Sequence, residues 1–269
     1  MQNPTIFING KLGDRLSSLD RGLLYGDGVF ETIAFRKGYL QFWDEHIARL
    51  NDGCDVLGIT GLDNQLLIKE VEQLTHSGEQ CVIKIIITRG IGDRGYKPNQ
   101  LPATRIIQKF SFPDFPASYT EQGIDVTLCS YRLSQQTKLS KIKHLNRLEQ
   151  VLARSEWDDE FQEGLVCDAN NHVIEATSSN VFFECDNALI TPDLNLCGVE
   201  GVLRNVVLKY CNDNYVNFEV RDINLNEVEN FPGMFVCNSI IGIWPVKSFN
   251  QRPMSKTAII TNLMSEFNS

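Results

Sequence analysis

Two closely spaced prolines near the middle of the chain decide how it can be divided. In Ser111-Phe112-Pro113-Asp114-Phe115-Pro116-Ala117-Ser118 neither a helix nor a central strand can run through, because proline lacks an amide donor and blocks a continuing helix. The stretch predicts a smaller N-terminal α/β domain over residues 1–112, a connecting loop over 113–120 and a larger C-terminal domain over 121–269.

Each half mixes strand and helix signals. Thr5–Ile8 reads as a strand, and Val29–Phe35 and Tyr39–Trp43 flank Arg36-Lys37-Gly38 as a hairpin. Ile47, Leu50, Cys54 and Leu57 recur at helical spacing behind Asp44 as N-cap, and Leu66, Leu67, Val71 and Leu74 mark a second helix. Cys81–Thr88 and Arg105–Phe110 are β-rich. Beyond the prolines, strands at Ile124–Tyr131, Gly164–Asp168, Asn180–Glu184 and Met234–Cys237 interleave with helices at Asn146–Trp157, Gly201–Cys211 and Lys256–Phe267. The fold class is therefore α/β, in two mixed domains.

Charge and composition exclude several functions. With 25 Lys plus Arg against 34 acids the net charge is −9, so nothing draws nucleic acid or an anionic membrane to the chain in general. An anionic ligand would have to be held by a few placed cations. The start, Met1-Gln2-Asn3-Pro4-Thr5, has neither the basic residues nor the apolar run of a signal peptide. The eight cysteines form no C-x-x-C pair and several sit in apolar runs, which fits core thiols in a reducing cytoplasm. The four histidines are too scattered for a zinc site, so no metal is expected.

Gly90-Ile91-Gly92-Asp93-Arg94-Gly95 matches the dinucleotide pattern G-x-G-x-x-G, but that reading needs a helix to open there. Pro98 and Pro102 deny it. Arg89 and Arg94 flank the glycines, with Tyr96 following; two guanidiniums on a strand-end loop suit bidentate capture of carboxylates, and a solvated loop fits equally. Lys143 lies between Ile142 and Leu145, just before a helix. Apolar surroundings lower a lysine's pKa, as an amine nucleophile requires.

Four segments, in order, carry a family resemblance. Gly26-Asp27-Gly28-Val29-Phe30-Glu31 looks like a G-D-G-x-[FY]-E turn, and Ile142-Lys143-His144-Leu145-Asn146-Arg147-Leu148-Glu149 like a lysine segment. Val173-Ile174-Glu175-Ala176-Thr177-Ser178-Ser179-Asn180-Val181-Phe182 and Gly198-Val199-Glu200-Gly201-Val202-Leu203-Arg204 look like an acidic segment and a phosphate cup. Together they resemble the fold-type IV pyridoxal phosphate enzymes, which include branched-chain and D-amino-acid aminotransferases and aminodeoxychorismate lyases. The resemblance implies a two-domain enzyme with pyridoxal 5'-phosphate at the domain interface.

It also implies roles. Lys143 would form the Schiff base with the cofactor aldehyde and move protons. Glu175 would sit by the ring nitrogen and keep it protonated, so that the ring acts as an electron sink. Val202 and Leu203 open an apolar helix whose first amides suit the phosphate. Arg49 matches the family's phosphate arginine, Ser239 falls at a second phosphate contact, and Asn238 precedes it. Thr32, Arg89, Arg94 and Tyr96 are the expected substrate contacts.

Within the class, Lys143-His144-Leu145-Asn146-Arg147, the loop Thr88-Arg89-Gly90 to Tyr96, and Cys237-Asn238 are closer to the lyase patterns. Phe30 stands where D-amino-acid aminotransferases tend to have Tyr. The implied reaction is conversion of 4-amino-4-deoxychorismate to p-aminobenzoate and pyruvate, in folate biosynthesis. The alternatives are a D-amino-acid or branched-chain aminotransferase, and a cofactor-binding protein that has lost catalysis; retention of Lys143 and Glu175 argues against the latter. The family further implies a homodimer acting on a small molecule in the cytoplasm.

Overall fold

The computed structural model describes residues 4–100 and 102–268, so the readings of Met1–Asn3 and of Leu101 lie outside the described residues. The chain clusters into two compact units. The first runs through Pro113 and also takes in Ile142–Asn146; the second comprises Asp114–Lys141 and the chain from Arg147 on. The mixed α/β class read from the sequence is borne out.

The first unit is built on a six-stranded sheet. Its strands are β1 (Thr5–Ile8), β2 (Lys11–Leu12), β3 (Gly28–Arg36), β4 (Tyr39–Leu40), β5 (Cys81–Thr88) and β6 (Thr104–Ser111). They lie in the order β2-β1-β6-β5-β3-β4, all antiparallel. Three helices accompany it: α1 (Arg21–Tyr25), α2 (Trp43–Leu57) and α3 (Asn64–Glu72). Strand periodicity divides β3 between two faces. Val29, Ile33 and Phe35 join Ile83, Ile85 and Ile87 of β5 in a core with Ile47, Leu50 and Cys54 of α2 and Leu67 and Val71 of α3. Phe30 and Thr32 alternate onto the opposite face.

Three local expectations are corrected. The strand read at Tyr39–Trp43 stops at Leu40, because Phe42 takes a left-handed conformation (φ 53°) and α2 starts at Trp43 rather than behind Asp44. Asp44 and Glu45 instead fill its first turn, where negative charge offsets the helix dipole. Lys143, read as part of the C-terminal domain, packs in the first unit, since residues 143–145 hydrogen-bond to the start of β3.

The second unit holds a nine-stranded mixed sheet: β7 (Ile124–Leu133), β8 (Glu163–Asp168), β9 (Val173–Ala176), β10 (Asn180–Cys185), β11 (Ala188–Pro192), β12 (Phe218–Arg221), β13 (Gly233–Asn238), β14 (Gly242–Phe249) and β15 (Arg252–Pro253). The order is β12-β11-β10-β13-β14-β7-β8-β9, with β15 paired to β14. The helices are α4 (Ser118–Glu121), α5 (Leu148–Arg154), α6 (Val202–Asp213) and α7 (Ala258–Phe267), so α5 is shorter at both ends than the apolar spacing suggests. The core gathers Ile124, Leu165, Val181, Phe183, Met234, Val236 and Trp244 among others. No helix of the described residues is long and apolar enough to cross a membrane, and all eight cysteines are free thiols.

Candidate active site

The G-D-G turn makes physical sense once the lysine segment is seen beside it. Phe30 donates its amide to the Lys143 carbonyl at 2.9 Å, and Leu145 donates to the Gly28 carbonyl at 2.9 Å. A side chain at Gly28 would meet the Ile87 carbonyl at 2.5 Å and the Leu145 side chain at 2.8 Å. Gly26 adopts φ 64° and closes α1, and its carbonyl receives the Asn146 side-chain amide at 3.1 Å. Glycine is required because a neighbouring backbone crosses here. The result fixes Lys143 with its Nζ 4.7 Å from the centroid of the Phe30 ring.

A second amine shares that ring. Lys84 of β5 lies directly across from Thr32, and its Nζ is 5.3 Å from the same centroid. Burial lowers the Lys84 pKa. Thr32 itself is half-buried. The apolar run Cys81–Ile87, broken only by Lys84, was the available signal for this residue, and sequence reasoning passed over it.

Beneath the turn, Glu31 is fully buried and holds Arg49 in a fork, Nε to Oε1 at 2.8 Å and Nη2 to Oε2 at 2.6 Å. His46 Nδ1 meets Oε2 at 2.6 Å. Burial pushes the Glu31 pKa up, but Arg49 and His46 outweigh it and leave the carboxyl at about 2. Burial keeps His46 low despite Glu31, so the imidazole is neutral at neutral pH. Since a carboxylate only accepts, His46 carries its hydrogen on Nδ1.

The two loop arginines separate. Arg89 is buried and its donors are engaged: Nε and Nη2 on Asp27 at 2.7 and 3.0 Å, Nη1 on the Gly58 carbonyl at 2.8 Å and Nη2 on that of Leu57 at 2.6 Å. It ties the G-D-G turn to the C-terminal end of α2 and is not presented to a ligand, which corrects its expected place among the substrate contacts. Arg94 and Tyr96 are exposed. Arg21, unremarked in the sequence, bonds Asp27 at 2.9 Å and the carbonyls of Gly95 and Tyr96 at 2.8 and 3.3 Å. Burial raises the Asp27 pKa, yet its two arginines lower it overall.

In the second unit, Glu175 is buried on β9. Its Oε2 accepts the Val199 amide at 2.8 Å and its Oε1 the Gln150 side chain at 3.3 Å. Val202 and Leu203 open α6 behind Gly201, with no side-chain cap on the first amides. Arg204, the last residue of the cup pattern, points away: it is buried and donates to the Pro192 carbonyl at 2.9 Å. Asn238 accepts the amides of Ile240 and Ile241 at 2.9 and 3.0 Å and donates to the Ser178 carbonyl and Ser179 Oγ. It shapes the turn that carries half-buried Ser239. Glu163, buried and missed in the sequence, gathers the hydroxyls of Thr177, Ser178 and Ser179 just after Glu175.

Among the described residues no three His, Cys, Asp or Glu side chains come together to hold a metal ion. The first unit presents an amine and an anchored guanidinium; the second, by itself, presents a carboxylate with fixed orientation and helix amides without a side-chain cap. Each pair has the chemistry that a small aromatic aldehyde bearing a phosphate calls for.

Comparison with known proteins agrees with that chemistry. The pattern of the amino-transferase class IV family matches residues 28–249. The chain is 36% identical over 246 residues to the aminodeoxychorismate lyase of Vibrio harveyi, covering 91% of each. It superposes on the crystal structure of 4-amino-4-deoxychorismate lyase from Pseudomonas aeruginosa with a TM-score of 0.93 at 38% identity, over 97% of both chains. The Escherichia coli branched-chain amino acid aminotransferase shares the fold, with a TM-score of 0.87 at 21% identity over 98% of this chain and 93% of that one.

Proposed function

Because the chain belongs to the class IV aminotransferase family, we propose that it is a pyridoxal-phosphate-dependent lyase. Its reaction is the conversion of 4-amino-4-deoxychorismate to p-aminobenzoate and pyruvate. The observation that carries this reading is the placement of Lys143, whose segment is hydrogen-bonded along β3 so that its amine stands over Phe30. Likeness to two lyases at 36–38% identity, against 21–29% for aminotransferases, favours the elimination over amino-group transfer.

Lys143 would hold the cofactor aldehyde, Glu175 its ring nitrogen, and Arg49, the first amides of α6 at Val202 and Leu203, and Ser239 its phosphate. Asn238 contributes by shaping the Ser239 turn. Bound there, pyridoxal phosphate supplies an aldehyde for the substrate amine and a ring that accepts an electron pair. Glu175 keeps its orientation through the Val199 amide, so its negative charge stays where a protonated ring nitrogen needs it.

Lys143 Nζ removes the proton from the substrate carbon that bears the amine. The carbon–oxygen bond to the enolpyruvyl group then breaks, the ring becomes aromatic, and Lys143 returns a proton so that the departing group ends as pyruvate. Arg94, Thr32 and Tyr96 are the residues we assign to substrate binding; the substrate's two carboxylates call for cations, and exposed Arg94 is one.

We infer that the enzyme is a cytoplasmic homodimer serving folate biosynthesis. The exposed apolar residues Leu148, Val151 and Leu152 of α5, at 68, 60 and 44% exposure, support an association surface.

The deciding experiment supplies enzymatically generated aminodeoxychorismate, with no keto acid, and follows both products. Equal formation of p-aminobenzoate and pyruvate, lost in Lys143→Ala, is the expected result. No product, with amino-group transfer on adding a keto acid and an amino acid, would instead make the protein an aminotransferase.

A further inference from the structure

We propose that Glu31 is a positioning residue for the cofactor phosphate, acting through Arg49. The proposal rests on the reading above that Arg49 contacts that phosphate. Arg49 projects from α2 on a long side chain, and an unanchored guanidinium would lose much rotamer freedom on meeting an anion. Glu31 removes that cost in advance. Its two oxygens take Nε and Nη2 of Arg49 at 2.8 and 2.6 Å, which fixes the guanidinium plane, not only its position.

The third donor completes the arrangement. His46 lies three residues before Arg49 on α2, hence on the same helix face, and its Nδ1 braces Oε2 at 2.6 Å. Glu31 is anchored from two directions and cannot swing with its partner. The side-chain exposures follow the same logic: 0% for Glu31 and 1% for His46, against 13% for Arg49. A buried anchor and brace thus sit beneath a guanidinium that reaches outward. The fork takes the Nε–Nη2 edge of the guanidinium and so sets the orientation of the whole group.

A simple structural tie would look similar in the folded protein, and the phosphate separates the two roles. Purified protein is stripped of cofactor, then titrated with pyridoxal phosphate and, separately, with pyridoxal, which has the aldehyde and ring but no phosphate. Visible absorption follows binding. Glu31→Gln keeps the shape and removes the charge; it should weaken pyridoxal phosphate by about tenfold or more while leaving pyridoxal within about twofold. Glu31→Asp, charged but one methylene shorter, should fall between Glu31→Gln and the wild type. Arg49→Lys, which cannot form the fork, should lose the same preference, and adding Glu31→Gln to it should cost little more.

Equal weakening of both ligands in Glu31→Gln would overturn the proposal, and so would an unchanged affinity for pyridoxal phosphate. If Arg49→Lys keeps the preference for the phosphorylated ligand, the reading of Arg49 falls first. Should Glu31→Gln not fold, Glu31→Asp carries the same comparison. Should neither fold, the Arg49 Nε–H resonance of the wild type decides: ordered and unmoved by pyridoxal phosphate supports the anchor, and averaged with solvent overturns it.

Discussion

Phe30 and Lys143 are joined twice, by a backbone hydrogen bond of 2.9 Å from the Phe30 amide to the Lys143 carbonyl and by the amine standing 4.7 Å from the ring centroid. The first contact places the residue and the second aims its side chain. Lys143→Ala removes the proton carrier and should cut turnover by about 10²–10⁴-fold or more, read as p-aminobenzoate release. Phe30→Leu keeps the backbone bond and loses only the ring, an interaction worth about 1 kcal/mol, so turnover should drop by no more than roughly tenfold. A Lys143→Ala protein with near-normal turnover would remove the lysine from the mechanism.

The two loop arginines should behave in opposite ways. Arg89→Met takes from Asp27 one of its two buried arginines and leaves the carbonyls of Leu57 and Gly58 without their guanidinium donor, so urea denaturation should show a loss of about 3 kcal/mol. Arg94→Ala touches an exposed side chain; stability should stay within about 0.5 kcal/mol while KM for the substrate rises. Equal stability losses in the two variants would contradict the division.

Arg21 links the same turn to the loop that carries Tyr96, by its bonds to the carbonyls of Gly95 and Tyr96. Arg21→Gln should release that loop. Amide hydrogen exchange at residues 94–97 should quicken, and KM should rise more than kcat falls, because the loop is assigned to binding and Lys143 is left in place. Unchanged exchange there would show that the loop is held by something other than Arg21.

What could be read from the sequence was whatever a local pattern encodes. The G-D-G turn, Lys143 and Glu175 belong to short motifs, and β5 announces itself by Cys81–Thr88. What escaped was pairing across distance. Nothing near residue 31 says that its carboxylate will meet residues 46 and 49, because that depends on which face of β3 receives α2. Arg89 looked like a ligand residue for the same reason: its partners, Asp27 and the end of α2, are 62 and about 31 residues away and only the folded sheet brings them up. Strands β11 and β12 are only five and four residues long, too few positions for a clear period. Glu163 gathers three hydroxyls only because β8 runs beside β9.

Glu31 also makes a prediction about acid stability. Its carboxyl is held at about 2 in the folded protein against an ordinary 4.5, so the folded state favours the charged form. The contribution is therefore fully present above the ordinary value and is lost as pH falls through the window from 4.5 to about 2. A shift of this size corresponds to roughly 3 kcal/mol. Asp27 is lowered too and titrates in the same sense, so the wild type alone cannot isolate Glu31. The difference between wild type and Glu31→Gln does. Urea unfolding should show that difference largest at about pH 6–7 and shrinking steadily toward pH 3, where the unfolded carboxyl is already protonated and the folded one begins to be. A difference that stays constant across this range would mean that the carboxylate's charge is not what holds Arg49 and His46, and that shape alone does.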